Sequence, residues 1–130
     1  MFLEHVNLTV KDLNRTIDFY RNLLGLEIRW QGKNTDGKLA AHIGDEKCYL
    51  ALFQTLKAGK EMVNRNYDEV GFNHFGFVVD DLATLRQKLI DQGITPHLEA
   101  DYEPGKRLYF IDPDGFEVEL VQYDSAPITN

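Results

Sequence analysis

The chain has 130 residues, one cysteine and a formal net charge of −7. That acidity leaves no basic footprint for nucleic acid or an anionic membrane. No apolar run approaches the roughly 18 residues of a membrane span, and Met1-Phe2-Leu3-Glu4-His5 lacks the basic and apolar regions of a signal peptide. The expected location is therefore cytoplasmic, and Cys48, with no internal partner, is expected to be a buried, inert thiol.

The first expected strand covers residues 3–10, with Val6, Leu8 and Val10 on one face and His5, Asn7 and Thr9 on the other. Asp12 suits a helix N-cap, Leu13, Ile17, Tyr20 and Leu24 recur at helical spacing, and Gly25 ends the segment. Residues 26–31 then read as a strand, 32–38 as a polar turn, and 39–43 with 47–54 as a hairpin. This half is β-α-β-β-β. A polar stretch at about 56–72 reads as a connector.

The second half repeats the pattern. Asn73-His74-Phe75-Gly76-Phe77-Val78-Val79-Asp80-Asp81-Leu82 matches Glu4-His5-Val6-Asn7-Leu8-Thr9-Val10-Lys11-Asp12-Leu13 in type and order. The histidines stand 69 residues apart, and Gly25 and Gly93, like Gln54 and Gln122, stand 68 apart. A strand at 75–79, a helix with Leu82, Leu85 and Leu89 as its stripe, and a strand near 95–98 follow. Next come a polar loop at 101–106, a strand at 107–111, the turn Asp112-Pro113-Asp114-Gly115, and a last strand at 116–123 with a short tail. Halves of about 65 residues are too small to bury enough apolar surface alone, so one domain over 1–130 is expected, with modules at about 1–55 and 73–124.

Strand alternation selects a second face. If Val118 and Leu120 pack on a helix, then Glu117, Glu119 and Val121 share the side of the two histidines. Two repeat-related histidines and a carboxylate on an otherwise apolar strand form a set suited to a divalent metal with open positions, namely His5, His74 and Glu119. Asn7, Thr9, Tyr49, Ala51, Phe53, Arg107 and Tyr109 should line the same cleft. By the 68-residue offset His42 aligns with Phe110, a helix-side position. His97 is expected to be exposed, and the two carboxylates of the 112–115 turn are expected to serve the turn itself.

On these residues, and on Asp18-Phe19-Tyr20-Arg21-Asn22-Leu23-Leu24-Gly25-Leu26 and Tyr109-Phe110-Ile111-Asp112-Pro113-Asp114-Gly115-Phe116-Glu117-Val118-Glu119-Leu120, the chain resembles the vicinal oxygen chelate superfamily. That superfamily includes glyoxalase I, extradiol dioxygenases, thiol transferases and bleomycin-binding proteins. The resemblance implies an α+β fold of paired β-α-β-β-β modules forming a curved, incomplete barrel-like sheet around a metal cleft. It also implies one divalent ion per site (Fe, Mn, Ni, Zn or Co), a small oxygenated substrate and a homodimer. Glyoxalase I uses a fourth protein ligand where this chain has Ala51, so a three-ligand dioxygenase, thiol transferase or lyase is expected ahead of it. The alternative is a metal-free drug-binding protein of the bleomycin-resistance type.

Overall fold

The computed structural model describes residues 1–57 and 67–125, so the middle of the expected connector and the end of the tail lie outside the described residues. The fold is α+β, and the chain divides into two compact units, Met1–Lys60 and Glu61–Asn130. The first unit runs β1 (His5–Val10), α1 (Leu13–Leu24), β2 (Glu27–Lys33), β3 (Leu39–Gly44) and β4 (Tyr49–Gln54). The second runs β5 (His74–Val78), α2 (Leu82–Asp91), β6 (Leu98–Tyr102), β7 (Gly105–Ile111) and β8 (Glu117–Tyr123). Each forms a four-stranded mixed sheet, ordered β1-β4-β3-β2 and β5-β8-β7-β6. In each sheet the first and last strands of the unit lie parallel.

The helices begin and end where side-chain chemistry allows. The Asp12 carboxylate accepts from the Arg15 N–H at 3.1 Å, and Asp81 accepts from both the N–H and the hydroxyl of Thr84 at 3.1 and 2.7 Å. A second device repeats as well: Gln54 Oε1 accepts from the Leu13 N–H at 2.9 Å, and Gln122 Oε1 from that of Leu82 at 2.8 Å. Each unit's last strand therefore ties down an orphan donor at its helix start. Gly25, in the left-handed region at φ 70°, ends α1.

Burial follows the two periodicities. Leu13, Ile17, Tyr20 and Leu23 of α1 are buried, as are Leu8, Val10, Ala41, Ile43, Leu50 and Leu52 of its sheet. The second unit buries Leu82 and Leu89 of α2 with Leu108, Phe110, Val118 and Leu120. A side chain as fully enclosed as Leu52 or Leu120 contributes about 1.5–3 kcal/mol by leaving water. Residues of opposite parity are left for the other face of each sheet.

Two expectations are corrected. The strand foreseen near 95–98 is β6, Leu98–Tyr102, and it pairs with β7 across a two-residue turn at Glu103 and Pro104, where a polar loop was expected. As an edge strand whose side chains are mostly exposed, β6 needs no apolar run, and Glu99 and Asp101 disguise it. Cys48 is exposed, not buried, because β4 begins one residue later; its thiol donates to the Leu3 carbonyl at 3.3 Å. No helix among the described residues is long and apolar enough to cross a membrane.

Candidate functional site

In the second unit, register brings His74 opposite Glu117 and Gly76 opposite Glu119 on the β5/β8 ladder, while Tyr109 of β7 faces Glu119 from the other side. A side chain at position 76 would press on Glu119, since its Cβ would lie 3.3 Å from the Glu119 Cβ and carbonyl oxygen. With glycine there, His74 Nε2 lies 3.1 Å from Glu119 Oε1. Two donors held at about 2.1 Å from one ion, a right angle apart, are separated by about 3 Å, so this pair fits adjacent ligand positions. The Glu119 Oε2 accepts from the Arg107 guanidinium at 3.4 Å. Tyr109 sets its ring edge-on to His74 at 5.1 Å. Burial first, and then its bond to Glu119, push the Tyr109 hydroxyl above the usual phenol range, keeping it a proton donor.

The other nitrogen of His74 is also engaged. His74 Nδ1 lies 3.1 Å from the Tyr67 hydroxyl and 3.4 Å from Glu117 Oε1, and that hydroxyl donates to the same Glu117 oxygen. Glu117 Oε2 meets His97 Nε2 at 2.7 Å. Burial, with the Glu119 charge second, raises the Glu117 carboxyl above the usual carboxylate range.

The first unit presents a different face. His5 is exposed, its Nδ1 3.0 Å from Glu4 Oε1, and its ring stacks on Tyr49 at 5.0 Å. Tyr49 in turn stacks on His42 at 4.5 Å, and His42 leans on Trp30 at 5.1 Å. A bulge in β2 between Ile28 and Trp30 accommodates Arg29, whose guanidinium lies over the Tyr49 ring at 4.5 Å. The Tyr49 hydroxyl donates to Glu4 at 3.1 Å. These bonds from His5 and Tyr49 hold the Glu4 carboxyl below its ordinary range. The small, buried Ala51 pairs with Asn7 and His42; Asn7 donates its amide to the Ala51 carbonyl at 2.9 Å, and Thr9 pairs with Phe53.

His42 therefore needs a correction. Placed on the helix side by its alignment with Phe110, it instead shares the open face with Ala51 and Tyr49. The loop between β3 and β4 is residues 45–48, whereas that between β7 and β8 is residues 112–116. One residue fewer in the first loop reverses the parity of β3 relative to the constant offset. His42 thus corresponds to Tyr109, and burial lowers its pKa below the ordinary histidine value.

Of the three expected ligands, His74 and Glu119 belong to one unit and meet there, while His5 belongs to the other. Among the described residues, no three His, Cys, Asp or Glu side chains form a group able to hold a metal ion. The 112–115 turn is structural as expected: Asp112 accepts from the N–H groups of Asp114 and Phe116 at 2.9 Å, and Gly115 takes φ 92°. Tyr67, Glu4 and His97 are additions to the expected site residues. Glu117 shares the histidine face by strand parity, and the structure adds its contacts with His74, Tyr67 and His97.

Residues 2–120 match the Glyoxalase/Bleomycin resistance protein/Dioxygenase superfamily, and the chain belongs to it. It is 33% identical to a glutathione transferase FosA of Serratia marcescens, over 91% of this chain and 78% of that one. A lactoylglutathione lyase of Escherichia coli O157:H7 is 29% identical over 97% of this chain and 96% of its own. In three dimensions the chain is similar to a fosfomycin resistance protein, FosX, of Listeria monocytogenes, solved with Mn(II) and sulfate. The TM-score is 0.70 at 21% identity, covering 93% of this chain and 91% of that one, and this likeness is one of fold. Transferases and lyases among the relatives place the chain in an enzyme superfamily at that coarse level.

Proposed function

We propose that the protein is a divalent-metal-dependent enzyme acting on a small oxygenated substrate, with His5, His74 and Glu119 as the protein ligands. The observation that carries this reading is the separation of His74 Nε2 and Glu119 Oε1 by 3.1 Å on a half-buried sheet face. A bound ion would polarise a substrate oxygen at positions the protein leaves open.

The surrounding residues support binding and orientation. The Arg107 guanidinium, held at Glu119 through Nη1, can supply positive charge to an anionic substrate group beside that carboxylate. Tyr109, held protonated, can donate to an oxygen beside Glu119. Ala51 offers no donor atom, so the carboxylate that could serve as a fourth ligand or a second base is missing from the first unit. That favours transferase or dioxygenase chemistry over glyoxalase I isomerisation, and the Serratia relative, named a glutathione transferase, supports a thiol co-substrate.

Elemental analysis of protein purified without chelator, beside Glu119→Ala, tests this reading. Near one metal per chain in the native protein, lost in the variant, is the expected result. Metal no higher than in the variant would overturn it in favour of a metal-free binding protein. The active form is proposed to be a homodimer, and mixing His5→Ala with Glu119→Ala chains shows which chain supplies His5. A mixed dimer regains one intact site only if His5 serves the partner's site.

A further inference from the structure

We propose that Glu117, braced by His97 and Tyr67, is a positioning residue that holds the His74 imidazole with Nε2 turned toward Glu119. This rests on the reading of His74 as a metal ligand. An imidazole ring can flip about its last torsion and exchange the places of its ring atoms, so a ligand histidine needs a partner that distinguishes Nδ1 from Nε2. Glu117 stands directly across the ladder from His74, its Oε1 3.4 Å from Nδ1. The carboxylate is itself held, with His97 Nε2 at 2.7 Å on Oε2 and the Tyr67 hydroxyl bonded to both Oε1 and His74 Nδ1. The His97 backbone is fixed in turn by its N–H to the Tyr109 carbonyl at 3.0 Å.

Stability alone does not explain this cluster. Glu117 and Glu119 place two carboxylates on the same face of one strand, an arrangement that like-charge repulsion disfavours. The first unit, moreover, builds the same arrangement from residues that do not correspond by the repeat. There Glu4 lies 3.0 Å from His5 Nδ1, and the Tyr49 hydroxyl donates to Glu4. By the repeat, Glu4 aligns with Asn73 and Tyr49 with Glu117. The acid and the tyrosine thus come from different positions in the two units, yet each histidine meets a tyrosine-bonded carboxylate at Nδ1. Partners of this kind fix the tautomer and raise the basicity of the coordinating nitrogen, and their loss typically costs about 10–100-fold in metal affinity.

The test titrates the purified full-length protein with Zn²⁺ alone and follows the His74 ring by ¹⁵N NMR. Glu117→Ala should bind Zn²⁺ about 10–100-fold more weakly and lose the hydrogen-bonded Nδ1–H resonance of the loaded protein. Glu117→Gln, whose amide oxygen can take the place of Oε1 beside Nδ1 and the Tyr67 hydroxyl, should recover most of the affinity, and His97→Ala should weaken it by less than Glu117→Ala. Wild-type affinity and an unchanged Nδ1–H signal in Glu117→Ala would overturn the proposal. So would failure of Gln to rescue a folded protein, because Glu117 would then be a ligand. If Glu119→Ala binds Zn²⁺ as well as the wild type, the metal reading itself has failed. The Nδ1–H signal of the metal-free protein, present in the wild type and lost in Glu117→Ala or unchanged, then decides the role of Glu117 separately.

Discussion

The two units share a topology, an Asp N-cap and a glutamine tie to the helix start, yet their open faces differ in kind. The first carries an aromatic ladder of His5, Tyr49, His42 and Trp30 with Arg29 across it. The second carries a charged network of His97, Glu117, His74, Glu119 and Arg107. Apart from the tyrosine-bonded carboxylate at each histidine Nδ1, what the units have in common lies at buried and capping positions, and what separates them lies on the alternate side of the same strands. Scaffold and chemistry are thus written in different parities of one sequence.

Substitutions at paired positions test this division. The largest effect should fall on metal binding: Glu119→Ala or His74→Ala should weaken Zn²⁺ binding by more than about 100-fold, beyond the loss expected for an outer partner. Ala51→Ser, at the matching place in the first unit, should leave it nearly unchanged. Equal effects at positions 51 and 119 would erase the functional contrast. In the core the units should behave alike, with Leu52→Ala and Leu120→Ala each costing about 2–5 kcal/mol in urea unfolding, since both side chains are fully buried. Gln54→Ala and Gln122→Ala should cost less, about 1 kcal/mol each, for a lost hydrogen bond to a helix-start N–H.

The smallest expected effect concerns pH. Burial, followed by the charges of His5 and Arg29, lowers the His42 pKa in the folded state. The folded protein then binds fewer protons than the unfolded chain through the window below the ordinary histidine value. The contribution of His42 to stability is therefore complete above about pH 6.5 and is lost as pH falls toward the lowered value. Urea midpoints measured from pH 7.5 to 5.5 should decline less steeply in His42→Gln than in the wild type. An identical slope would remove His42 as the source.

The fold was largely legible because its signals are local or repeated. Asp12, Gly25 and Asp81 act at the places their chemistry indicated, and the Val6, Leu8, Val10 alternation appears with Leu8 and Val10 buried, Val6 half-buried and the intervening residues exposed. The misses have physical causes. The edge strand β6 has no apolar signature, and a hairpin loop one residue shorter in the first unit reversed the side on which His42 lies. Parity was enough to put Glu119 beside His74. The partners on His74 Nδ1 were harder to find, because Tyr67 and His97 lie outside the β5/β8 pair and reach Glu117 only through the folded backbone.

Under the proposed function, His74 and Glu119 hold one divalent ion with a His5 as the third protein ligand. Anomalous diffraction from Zn²⁺-loaded crystals would locate that ion. A single strong peak is expected about 2 Å from His74 Nε2 and from a Glu119 oxygen, with Nε2 of a His5, from the same chain or a second copy, at a similar distance. A peak elsewhere, or none at these residues under full loading, would rule out these ligands.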